Sequence, residues 1–134
     1  MYARERDAPG YLRQSVREGS FLVRGADSPA VQVFLPEKPS DDTSLSPAAL
    51  VFHGGGYSHI GPNAGQPAEC WLTSLGVAAF VVRYRLPPRH AWPAALDDAR
   101  AALALLQSPQ ARQRWSIDSS KLALLGCESL ALLN

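Results

Sequence analysis

Long apolar runs, cysteine and charge of one sign are all scarce in this 134-residue chain. The longest apolar run, residues 76–82, falls far short of the roughly 18 residues that a membrane-spanning helix needs, so a soluble chain with no membrane partner is expected. Residues 1–7 carry Arg4, Glu5, Arg6 and Asp7 with no apolar run behind them, and no export signal is read there. Cys70 and Cys127 stand apart, without metal-ligand spacing. That speaks against a metal site or a disulfide framework and for a reducing, cytoplasmic compartment. Thirteen Lys and Arg oppose twelve Asp and Glu, and the basic residues are scattered rather than gathered in a stripe, which argues against a nucleic-acid partner. The sequence shows neither an internal repeat nor a low-complexity segment.

What is present is an ordinary globular composition, 46% hydrophobic and 19% charged, enough for one domain at most over residues 1–134. Apolar runs at 21–23 and 31–35, separated by Gly25, Asp27, Ser28 and Pro29, predict an amino-terminal β-hairpin. Residues 36–47, rich in Pro, Ser and Asp, read as a surface loop. A buried strand is expected over 48–52 and another over 77–84, where a helix would lack any polar face. Between them, Ala68, Trp71, Leu72 and Leu75 fall on one helical face, and Gly76 is placed to stop that helix.

Pro93 suits a first helical turn, with Asp97 and Asp98 near the positive end of the dipole. Leu96, Ala99, Leu103 and Leu106 then form an apolar stripe, and a third short strand follows over 121–125. Alternating strands and helices in units of roughly thirty residues predict a mostly parallel, three-layer α/β/α sheet. Ligands in such sheets sit beyond the carboxyl ends of the strands, where His53 and Gly126 both lie.

His53-Gly54-Gly55-Gly56-Tyr57 follows the first buried strand directly. Consecutive glycines let backbone N–H groups approach a ligand oxygen without interference from Cβ atoms, and such donors can hold the oxyanion of acyl transfer. The alternative is a tight turn with no ligand. Together with Val81-Val82-Arg83-Tyr84-Arg85-Leu86-Pro87 and Trp92-Pro93-Ala94-Ala95-Leu96-Asp97-Asp98, the run resembles the esterase and lipase branch of the α/β-hydrolases. It is especially similar to bacterial xylan-esterase-like and arylformamidase-like hydrolases, over residues 50–126.

The resemblance implies an incomplete α/β-hydrolase fold, a carboxylic-ester hydrolase activity on a small ester substrate, and no cofactor. It also implies backbone oxyanion donors at Gly54, Gly55 and Gly56, with His53 as a brace for the loop rather than a base. Tyr57, Ser58 and His59 border the acyl pocket or are plain loop residues. Arg83 and Arg85 are expected to reach Asp97 or Asp98 and to fix the turn between strand and helix.

The family pattern next calls for Gly-x-Ser-x-Gly, a sharp turn that holds the nucleophile. Here the text is Gly126-Cys127-Glu128-Ser129-Leu130. Without a gap Glu128 takes the nucleophile position; with one inserted residue Ser129 does. Leu130 in place of the second glycine is a steric objection to either. Cys127 has no basic partner nearby in sequence and reads as a structural thiol.

His53, His59 and His90 all precede this turn, and residues 130–134 hold no Asp, Glu or His. The acid and base of a triad are therefore missing, and a chain truncated at the nucleophile turn, weakly active or inactive, is expected. The strand before the turn would then offer an unpaired apolar edge for self-association or for a partner chain. The second reading is a non-catalytic binding module built on the same fold.

Overall fold

The computed structural model describes residues 3–5, 13–16, 29–55 and 66–126. In chain order the elements are β1 (Ala3–Glu5), β2 (Arg13–Val16), β3 (Ala30–Phe34), β4 (Ser46–Phe52), α1 (Gln66–Ser74), β5 (Ala78–Arg83), α2 (Ala94–Leu106), α3 (Pro109–Trp115) and β6 (Ile117–Gly126). The strands form one mixed sheet in the order β1-β2-β3-β5-β4-β6. Its carboxyl-terminal half is parallel: β4 pairs with both β5 and β6 in the same direction.

The unbroken apolar character of β4 and β5 follows from burial on both faces. Successive side chains of a strand alternate between faces. Ala78, Phe80 and Val82 enter one core with Leu50, Leu105, Leu106, Trp115 and Ile117. Ala79 and Val81 enter the other with Val51 and Leu72. Helices α2 and α3 thus cover one face and α1 the other, which is the three-layer α/β/α arrangement the sequence predicts.

Pairing at the amino-terminal edge differs from the expected hairpin. The strand expected over 31–35 exists as β3, but it lies between β2, to which it is parallel, and β5, to which it is antiparallel. Residues 21–23 lie outside the described residues. The antiparallel pair at this edge is β1 with β2.

Two helical faces also differ. On α1, Leu72 is buried while Trp71 and Leu75 are 59% and 60% exposed; the inward face carries Leu72 and Glu69 instead of Trp71 and Leu75. On α2 the buried residues are Ala95, Asp98, Ala102, Leu105 and Leu106, one position away from the expected stripe except at Leu106. An ion pair turns the helix this way, because Asp98 points inward to meet Arg85.

Gly76 does stop α1. Its φ is +79°; its N–H donates to the Thr73 carbonyl and that of Val77 to the Leu72 carbonyl, the paired bonds of a Schellman ending. The last strand begins earlier than expected, at Ile117, which pairs with Ser46. The ladder then shifts register before Ala48 meets Leu122. Within that bulge the Asp118 carboxylate accepts from the Ser120 N–H and hydroxyl.

Candidate functional site

Because β4, β5 and β6 run parallel, Phe52, Arg83 and Gly126 all end at one side of the sheet. The segments that leave β4 and β5, His53-Gly54-Gly55 and Tyr84-Arg85-Leu86, are neighbours there. His53 and Gly54 are buried and Gly55 is half-buried. Gly55 has φ +151°, in the range that disfavours a side chain. A bulkier residue at this point is excluded by backbone conformation, which accounts for a glycine immediately beyond a buried strand.

His53 is held at both ends. Its ring Nε2 lies 3.2 Å from Oε1 of Glu69, and both side chains are buried. The backbone carbonyl of His53 accepts from the Tyr84 hydroxyl at 2.5 Å. His53 is thus tied through its ring to α1 and through its carbonyl to the residue that follows β5.

Arg85 and Asp98 fix the turn after β5. The guanidinium donates to both carboxylate oxygens, from Nη2 at 2.8 Å and Nε at 3.1 Å, and the Arg85 backbone N–H donates to Oδ2 at 2.7 Å. Asp98 is fully buried. Burial pushes its carboxyl above the ordinary range against the hydrogen bonds and charge of Arg85. Of the two expected partners, Asp98 is therefore the one engaged; Asp97 lies on the exposed side, 3.9 Å from Arg100. The Arg83 Nε and Nη2 donate to Oε1 of buried Gln32 on β3.

Gly56, Tyr57, Ser58 and His59 lie outside the described residues, as do Cys127, Glu128, Ser129 and Leu130. Glu69 does not stand out in the sequence, because the spacing of Ala68, Trp71, Leu72 and Leu75 places it away from the apolar face of α1. The available signal was a single carboxylate in that helix's first turn. Among the described residues no group of three or more His, Cys, Asp and Glu gathers as for a metal ion, and no helix is long and apolar enough to cross a membrane.

A glycine turn at the carboxyl end of a parallel strand, tied to the next helix and the next strand by buried polar groups, places this chain among α/β proteins with a ligand end at that edge. Comparison with known proteins narrows the class. The chain belongs to the alpha/beta hydrolase fold family, whose model matches residues 49–129. It is 33% identical over 144 residues to ethyl acetate hydrolase of Pseudomonas putida, covering 94% of this chain and 43% of that protein. It is 35% identical over 74 residues to gibberellin receptor GID1B of Arabidopsis thaliana, covering 53% of this chain and 21% of the receptor.

Among solved structures it matches the acetyl ester-xyloside bifunctional hydrolase from Caldicellulosiruptor lactoaceticus with a TM-score of 0.64 and 26% identity, over 81% of this chain and 42% of that one. The chain thus spans less than half the length of these relatives.

Proposed function

We propose that this chain carries the oxyanion-binding part of a carboxylic-ester hydrolase acting on small esters. The backbone N–H groups of Gly54, Gly55 and Gly56 would hold the carbonyl oxygen as a serine attacks, with Ser129 the candidate nucleophile and Tyr57, Ser58 and His59 bordering the acyl group. One observation carries the reading: a positive-φ glycine directly beyond β4, in a loop held by Glu69 and Tyr84. Donors fixed before the reaction stabilise the developing charge without reorganising, each by about 3 kcal/mol. These 134 residues contain no histidine after His90, so weak turnover is expected from them alone. An exposed free thiol at Cys70 supports a cytoplasmic setting.

A non-catalytic binding module is the second reading. It is favoured by Glu128 and Leu130 where the family pattern has serine and glycine, and by a receptor among the relatives. Assay of p-nitrophenyl acetate and butyrate, with fluorophosphonate labelling and ligand-detected NMR, separates the two. Turnover and labelling lost in Ser129→Ala support the hydrolase, whereas ester binding without either supports the module. If the esters are neither bound nor turned over, both readings fail.

A further inference from the structure

We infer that Glu69 and Tyr84 are positioning residues for the glycine loop, a pair that sets the direction in which its backbone donors point. The inference rests on the oxyanion reading above and adds to it the residues that make the donors stay in place.

A wholly buried carboxylate is costly unless it is paired and hydrogen-bonded. On α1 the cost is conspicuous, since Leu72 is the one buried apolar side chain described on that helix and Trp71 and Leu75 face outward. An apolar residue at position 69 would extend the inward face begun by Leu72. The residue found there is instead a glutamate whose Oε1 meets His53 Nε2 at 3.2 Å. Its place in the first turn of α1 is compatible with the helix dipole. The carboxylate thus ties the start of α1 to the first residue of the loop.

Tyr84 acts on the same residue from the other side, through the backbone. Its hydroxyl donates to the His53 carbonyl, and the Tyr84 side chain is buried. The peptide bond is planar and trans, so the N–H of Gly54 points opposite to the His53 carbonyl. Fixing that carbonyl on Tyr84 therefore fixes the Gly54 N–H away from Tyr84. Glu69 holds the ring and Tyr84 the peptide plane, leaving His53 no rotation that keeps both bonds. One clamp comes from α1 and the other from the end of β5, so the loop is referred to both the helix and the sheet.

The test reads the loop itself in the full chain by NMR, through the His53 ring nitrogens and amide hydrogen exchange at Gly54 and Gly55. Glu69→Ala is expected to change the His53 tautomer signature and to speed exchange of the two amides about tenfold, the scale of one lost charge-assisted hydrogen bond. Glu69→Gln, which keeps an acceptor of the same shape, is expected to restore slow exchange. Tyr84→Phe should speed Gly54 exchange with the ring signature kept, and Trp71→Ala, exposed on the same helix, should change neither.

A folded Glu69→Ala with wild-type ring signals and amide exchange overturns the inference. If Glu69→Ala does not fold, Tyr84→Phe decides, and wild-type exchange at Gly54 overturns it. Since no turnover is read, absence of ester hydrolysis counts against the proposed activity and leaves this result standing.

Discussion

Arg85 and Asp98 show how unequal the two ends of an ion pair can be. The Asp98 side chain is 0% exposed and that of Arg85 20%, so removal of either leaves a different problem. Arg85→Ala strands a buried carboxylate and should cost about 3 kcal/mol, while Asp98→Asn keeps an acceptor for the Arg85 donors and should cost less. The pH dependence has a definite sign. Burial already holds Asp98 above its ordinary value of 3.8, and loss of Arg85 removes what opposes that rise.

A folded state that keeps its proton at a pH where the unfolded chain has released it gains stability as the pH falls. That gain is complete below the unfolded value and is lost as pH rises through the folded one. The Arg85→Ala deficit in urea unfolding should accordingly shrink on going from pH 7 toward pH 4; a deficit constant with pH would mean that Asp98 stays ionised throughout. Two arginines flanking a tyrosine and two adjacent aspartates made the contact legible in sequence. Which of each pair would be used was not, because that depends on the direction in which each side chain leaves its element.

At the scale of elements, glycine and proline punctuation was the most readable signal. Gly76 ends α1 with φ +79°, and a Cβ built there meets nothing within 4 Å. Gly76→Ala should therefore cost about 1 kcal/mol from backbone conformation alone, without a packing term. A loss several times larger in thermal or denaturant unfolding would contradict the open space around it. Helix α3 was not read from the sequence, although Ser108 caps it, accepting from the Ala111 N–H, with Pro109 in the first turn.

Seven residues carrying Gln110, Arg112, Gln113 and Arg114 show little apolar periodicity, so the cap and the proline were the only cues. It contributes Ala111 and Trp115 to the core, the latter edge-on to Phe80 with ring centroids 5.1 Å apart and 67° between planes. Helical faces were the least readable feature, because buried Glu69 and Asp98 rotate α1 and α2 away from their most apolar stripes. Polar residues that carry the site's architecture look, in sequence, like the solvent side of a helix.

For the molecule as a whole, the strands that converge on the glycine loop are unequally covered. Strand β4 lies between β5 and β6, whereas β6 has β4 on one side and, among the described residues, no strand on the other. Leu124 on β6 is 54% exposed, Ala123 is exposed, and Trp71 and Leu75 add apolar surface on α1. An edge with free backbone donors and acceptors next to exposed leucine is a template for another strand. The 134 residues alone are accordingly predicted to self-associate as concentration rises, through β6 in preference to the outer face of α1.

Sedimentation velocity across a wide concentration range should show this, and Leu124→Lys, which places a charge on the edge without touching either core, should shift the chain toward monomer. Trp71→Ala should have the smaller effect, because an isolated exposed side chain on a helix offers no backbone to pair with. A chain that stays monomeric at the highest concentration would overturn the prediction, and one that associates equally after Leu124→Lys would place the contact elsewhere than on the edge of β6.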